Sequence, residues 1–214
     1  MLFNLSDQQS VANQFILELR DKALQQDRMR FRKNVERLGE IMAYEVSKKL
    51  SFAEREIETP LGRSRIPVLR QQPVLITILR AGLPYFQGFL NFFDRADSGF
   101  VGAYREESTG ELSIKLDYVA SPDLNGREVI FIDPMLATGR SVLDSLQVVL
   151  RKGRPAHIHI VSLIAAAEGI AFLQERVPVP HTLWTCTVDP ELNSQFYIVP
   201  GLGDAGDLSY GMKI

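Results

Sequence analysis

The sequence predicts an α/β domain built on a mainly parallel sheet flanked by helices, and three observations carry that prediction. Four apolar runs, Val74 to Leu79, Val129 to Ile132, His157 to Leu163 and Thr182 to Val188, read as buried strands. Segments with apolar residues at helical spacing stand between them. The chain has 214 residues, 45% apolar and 23% charged, which suits one domain (1–214) with a full core and an appendage. Strands alternating with helices imply right-handed crossovers and a ligand edge at the carboxyl ends of the strands.

Each element follows in order. Residues 7–24 place Val11, Phe15, Leu19 and Ala23 on one helical face, with Asp7 near its start. A second helix over about 28–50 carries the stripe Phe31, Val35, Leu38, Met42, Val46 and Leu50, so residues 1–50 read as N-terminal helices. From Glu56 to Pro73, three prolines and Gly62 break any helix, leaving an irregular arm with room for one short strand. The strand at 74–79 runs into Arg80-Ala81-Gly82 and then an apolar segment, Tyr85 to Phe93. Phe100 to Tyr104 and Leu112 to Tyr118 alternate around a Thr109-Gly110 turn and read as a β-hairpin arm at 100–118. Asn125-Gly126 returns the chain to the strand at 129–132. Val142, Leu143, Leu146, Val149 and Leu150 then mark a helix, and another runs from about Ala166 to Arg176.

Composition excludes several classes. A formal charge of −2 argues against nucleic-acid binding by bulk electrostatics. The single cysteine, Cys186, excludes an internal disulfide, and its apolar neighbours make it a small buried hydrophobe rather than a nucleophile. The N-terminus MLFNLSDQQSV lacks the pattern of a signal peptide and no stretch nears membrane-spanning length, so the expectation is a soluble cytoplasmic protein. His157 and His159 share a strand face, but a metal site would need a third ligand and none stands at useful spacing.

The chemistry concentrates in VIFIDPMLATGRS at 129–141, where a buried strand ends in Asp133 and a loop of small and hydroxylated residues leads to a helix near Ser141. The amides of Ala137 to Ser141 and the hydroxyls of Thr138 and Ser141 can cradle a phosphate. Arg80, delivered by a second buried strand, suits a second anion site or a surface ion pair. Arg105 sits on the hairpin, either in a solvated tip or folded over a ligand. The tail YIVPGLGDAG at 197–206, followed by Asp207, is a structural turn or a bare backbone surface for a flat ligand.

These four motifs, DPMLATGRS at 133–141, ILRAGL at 78–83, YREE at 104–107 and YIVPGLGDAGD at 197–207, resemble those of uracil phosphoribosyltransferases, a type I phosphoribosyltransferase family, in the family's order. The resemblance spans about Arg28 to Gly211. It implies the type I phosphoribosyltransferase fold with a C-terminal base-binding hood at 189–214. It implies transfer of a phosphoribosyl group from phosphoribosyl diphosphate (PRPP) to uracil, giving UMP and diphosphate, with Mg²⁺. Carried over, Asp133, Pro134, Met135, Leu136, Ala137, Thr138, Gly139, Arg140 and Ser141 would hold the ribose and 5′-phosphate of PRPP. Arg80 and Arg105 would also bind PRPP. Ile198, Gly203, Asp204 and Ala205 would meet uracil, with Asp204 serving the PRPP side too. Asp204, Asp133 and Arg105 would be the catalytic residues. The family further implies a homo-oligomer and, in some members, GTP as an allosteric activator.

Two positions depart from the family. Arg140 stands where Gly is common, so it either strains a left-handed position by about 1–2 kcal/mol or adds charge beside the 5′-phosphate. Leu208 stands where many members carry Arg. The alternative function, an RNA-binding regulator of pyrimidine genes, predicts a basic face, whereas the chain has 24 basic against 26 acidic residues. A degenerate binding protein would be expected to have lost Asp133, Arg80 or Asp204, and all three are present.

Overall fold

The strands at the centre of the main sheet form because their residues are apolar enough to be covered on both faces. The computed structural model describes residues 1–108 and 111–212, with the side chains of residues 103–117 outside that description. The chain opens with β1 (Leu2–Asn4), α1 (Ala12–Arg20) and α2 (Arg28–Ser47), followed by β2 (Phe52–Thr59) and β3 (Gly62–Leu69). Next come β4 (Val74–Leu79), α3 (Leu83–Phe92), β5 (Asp97–Ser108) and β6 (Glu111–Ala120). The second half runs β7 (Glu128–Ile132), β8 (Met135–Leu136), α4 (Arg140–Val149), β9 (His157–Ala166) and α5 (Ala167–Arg176). It closes with β10 (His181–Asp189), β11 (Glu191–Leu192), β12 (Ile198–Val199) and α6 (Ala205–Tyr210).

The main sheet has the order β1-β10-β9-β7-β4-β5-β6, with β8 beside β9, and only the β5–β6 hairpin pairs antiparallel within it. Its two faces bury separate clusters. Leu75, Ile130 and Ile132 point toward α2 and α3, whose Phe31, Leu38, Met42, Tyr85 and Phe89 are buried there. Val74, Ile76, Val129 and Phe131 point the other way, against Val142, Leu146 and Val149 of α4 and Leu173 of α5. Burial on both faces explains why these strands are continuously apolar rather than alternating.

Four expectations need correction. The arm at 56–73 is a regular two-stranded ribbon, registered from Phe52 opposite Leu69 to Thr59 opposite Gly62. A two-stranded ribbon with no buried face carries no alternation to read, and it tolerates Pro67 because a ribbon edge leaves outward N–H groups unpaired. β1 adds a parallel edge strand beside β10, too short for any periodicity to announce it. α1 begins at Ala12 rather than near Asp7; Asp7 instead accepts from Asn4 Nδ2 at 2.8 Å, and Val11 is exposed. The hairpin strands are longer than expected, and the Thr109-Gly110 turn between them lies outside the described residues.

Cys186 is buried against Tyr85, and burial pushes its thiol up to about 12, as its reading as a small hydrophobe requires. His157 and His159 do share a face, their rings 4.8 Å apart. Trp184 Nε1 donates to His159 Nδ1 at 3.2 Å, which leaves the ring proton on Nε2 facing Glu128. Among the described residues no group of three His, Cys, Asp or Glu side chains could hold a metal, and no helix is long and apolar enough to cross a membrane.

The N-terminal helices are locked by Glu18, whose carboxylate accepts from Arg30 Nε and Nη2 at 2.7 Å each and from Asn34 Nδ2 at 2.6 Å. The Arg30 hydrogen bond, then that of Asn34, pulls Glu18 from 4.5 to about 2. A depressed carboxyl pKa stabilises the fold fully above the unfolded value and ceases to do so as pH falls through the folded one. Thermal unfolding of Glu18→Gln beside the parent is therefore expected to show a lower melting temperature for the variant at neutral pH. That gap should close as the pH drops from 4.5 toward 2.

Candidate active site

The parallel pairing of β4 with β7 brings two strand ends to one edge, with Thr77 registered opposite Ile132 and its hydroxyl donating to the Ile132 carbonyl at 3.1 Å. Asp133 follows Ile132 directly, and Arg80 follows Leu79, across a cis peptide bond. The two charged residues picked out from sequence therefore leave neighbouring strands side by side.

The 133–141 segment is more ordered than a loop. Asp133 N–H donates to Val161 O at 3.1 Å, and the Pro134 carbonyl accepts from Leu163 and Ile164 at 3.0 and 3.1 Å. Asp133 Oδ1 accepts the Met135 N–H at 3.3 Å, and Met135–Leu136 pair with β9 as β8. Beyond this stitched base, Gly139 takes a left-handed φ of +78° and α4 begins at Arg140. The first bond inside the helix runs from Leu143 N–H to Gly139 O at 3.0 Å, so the amides of Arg140, Ser141 and Val142 precede the helical ladder. The Arg140 amide is within 3.4 Å of Thr138 Oγ1. An anion at this turn would meet amides and the positive end of the α4 dipole.

Arg140 is thereby settled. The left-handed residue is Gly139, and Arg140 is helical, exposed and unstrained, free to add charge at the cradle's rim. A residue that the motifs do not include seats the cradle: a Cβ on Gly169, in the first turn of α5, would strike Ala137 O and stand 3.3 Å from Gly139 N. The small-residue run before it, AAAEG, was the only local signal.

The tail folds back onto the Arg80 turn. Asp204 caps α6 by accepting the Asp207 N–H at 2.9 Å. Asp207 in turn pairs with Arg80 at 3.2 Å, and Arg80 Nη2 also reaches Gly211 O at 3.4 Å. The Arg80 side chain keeps 40% exposure, so it remains open to a ligand while tethered. Ile198 and Ala205 are buried, and Gly203 lies between them at a φ of +95°. The structure thus brings together Arg80, Asp133 to Ser141, and the tail residues. Arg105 lies opposite Ile114 in the hairpin backbone, and its side chain is outside the described residues.

Leu208 packs with the α2-side core and lies 3.9 Å from where a Gly203 Cβ would stand, so it supports the tail turn from beneath. Positive charge enters here from α2 instead: Arg32 Nη1 donates to Ser209 O at 2.7 Å, and the Arg28 guanidinium lies within 3.5 Å of the Gly211 Cβ position. Two guanidinium groups therefore face the negative end of α6 near Arg80. Helix propensity and stripe pattern could not reveal their partners, which are distant in sequence.

Comparison with known proteins shows what the chain as a whole is similar to. A family model described as uracil phosphoribosyltransferase matches residues 6–212. The uracil phosphoribosyltransferase of Porphyromonas gingivalis is 46% identical over 214 residues, covering 100% of this chain and 99% of the relative. That of Thermococcus gammatolerans is 37% identical over 204 residues, covering 94% and 89%. Among solved structures, the AQ2163 protein from Aquifex aeolicus superposes with a TM-score of 0.88 at 32% identity, covering all of both chains.

The helical conformation of Arg140 bounds the effect of one substitution. Arg140→Gly at the first helical residue sets glycine's entropy cost against removal of a cation from the positive end of the helix dipole, so chemical denaturation is expected to show a change of less than about 1 kcal/mol. A gain of about 1–2 kcal/mol, the cost of a left-handed non-glycine residue, would mean that position 140 is left-handed.

Proposed function

The chain belongs to the uracil phosphoribosyltransferase family, and from that premise we propose how its residues transfer the 5-phosphoribosyl group of PRPP to uracil. The observation that carries the reading is the meeting of the Asp133–Ser141 cradle, the Arg80 turn and the capped tail at one sheet edge. No support for an RNA-binding regulator comes from the relatives described above, which are named as the enzyme.

The transfer breaks the C1′–O bond of PRPP and joins C1′ to uracil N1, releasing diphosphate and the N1 proton. Positive charge grows on the ribose and negative charge on the leaving group, so carboxylates belong near the sugar and cations near the diphosphate. In this proposal the amides and hydroxyls of 137–141 hold the 5′-phosphate, with Asp133 on the ribose. Arg80 and Arg105 hold PRPP, and Arg80 is kept in place by Asp207. Ile198, Gly203 and Ala205 offer backbone C=O and N–H groups to the edge of uracil. Asp204 is the candidate proton acceptor, because no His stands in the tail. Cytosine would set an amine against a donor built for O4, leaving a buried N–H unpaired.

The donor set suits a metal borne by substrate. No dedicated cage exists among the described residues, and Mg²⁺ favours phosphate oxygens and its own waters, so it would be held mainly by PRPP and water. When bound it would neutralise charge on the departing diphosphate. A homo-oligomer also belongs to the proposal: Phe52, Leu61, Ile66 and Val68 leave exposed apolar surface on the β2–β3 ribbon that a second subunit would cover. GTP activation enters from the family resemblance alone, and a cytoplasmic location from the sequence reading alone.

Purified protein mixed with uracil, PRPP and Mg²⁺ is expected to form UMP, with cytosine, orotate and hypoxanthine as poor acceptors in parallel chromatographic assays. No UMP above a protein-free control would sink the reading. Asp204→Asn is a clean second test, since Asn caps helices as well as Asp does. The variant is expected to keep its melting temperature and lose about 10²- to 10³-fold in rate.

A further inference from the structure

The tail is gripped from outside the site by an ion pair that no motif contains. Asp189, the last residue of β10, is 4% exposed. Its carboxylate accepts a two-point hydrogen bond from Arg20 of α1, at 2.6 and 3.0 Å. Asp189 Oδ2 also accepts the Gly201 N–H at 2.8 Å, and Arg20 Nη1 donates to the Gly201 carbonyl at 3.3 Å. Both polar backbone groups of Gly201 are therefore satisfied by one ion pair. Gly201 has a φ of +58°, and a Cβ there would strike Ile198 O, so backbone bonds alone can locate this turn.

We propose that the Arg20–Asp189 pair positions the base-reading backbone and thereby sets affinity and selectivity for the pyrimidine without touching it. The inference rests on the reading that Ile198 and Gly203 to Ala205 meet uracil. Gly201 lies between those contacts, and hydrogen bonds to a planar base weaken steeply when donors or acceptors tilt out of line. β12, the only regular strand in this stretch, is two residues long, so little else in the local ladder holds the register. Arg rather than Lys is required because only a guanidinium fork engages both Asp189 oxygens and the Gly201 carbonyl together.

The test is steady-state kinetics on Asp189→Asn and Arg20→Lys in the full chain, varying uracil and PRPP separately and running cytosine as the competing base. The expected result is a rise of about tenfold or more in KM for uracil, with KM for PRPP within about twofold and a smaller uracil-to-cytosine ratio. Guanidinium ion added at low millimolar concentration to Arg20→Ala should restore the KM for uracil, which keeps the test decisive where Asp189→Asn does not fold. Parallel changes in both KM values, or a loss of kcat with selectivity intact, overturn the positioning role. An inactive parent protein overturns the underlying reading along with it, so the two failures are distinct.

Discussion

The site depends on the parallel pairing of β4 with β7. The apolar runs 74–79 and 129–132 of these strands are covered on both faces, so neither run carries a charge before it leaves the sheet. Because they run the same way and Thr77 stands opposite Ile132, the first charged residues beyond their apolar runs emerge together, Arg80 from one and Asp133 from the other. An antiparallel pairing of the same two strands would put those residues at opposite ends of the sheet. The Thr77 hydroxyl, buried between the strands and bonded to Ile132 O, ties the register at the point where it matters.

From that edge, opposite charges are laid out in alternation. Helix α4 presents amides at Arg140 and beyond, while α6 presents its negative end to Arg28 and Arg32. Asp207 holds Arg80, and Asp189 holds Arg20. Fixing a guanidinium with a carboxylate removes much of the entropy it would otherwise lose when it meets a ligand. The tethers also leave charges of both signs at short range, which suits a reaction that separates charge as it proceeds.

Much of this was legible in the residues, and the physical reason is burial. β4, β7, β9 and β10 stood out because two-sided burial demands unbroken apolar runs. The β2–β3 ribbon and β1 did not, since an exposed ribbon or a three-residue edge has no buried face to impose a pattern. Asp133 was found because a glycine-bearing loop follows it. Asp189 ends its strand in the same way and is likewise followed by a proline, yet no glycine-bearing loop comes directly after it, and nothing local marks its partner Arg20, which is 169 residues away. Gly169 was missed for a related reason: its role is to let another segment come close, and that segment is named only by the fold. Arg140 shows the opposite case, where two readings were open and a single backbone angle at Gly139 decides between them.

The contacts from α1 and α2 to the tail also bear on how the molecule is made. Arg20 and Arg32 leave the ribosome early, but their partners Gly201 and Ser209 arrive 181 and 177 residues later. The 133–141 turn precedes the tail in the chain, so the contacts that α1 and α2 make with the tail form only after that turn has been synthesised. Such a wide separation adds little thermodynamic penalty, because loop closure grows only with the logarithm of length, about 0.6 kcal/mol per doubling. It does mean that α1 and α2 serve as a template for the tail, α1 for the turn at Gly201 and α2 for the end of α6, and that the tail is fixed only when segments far apart in the sequence have met.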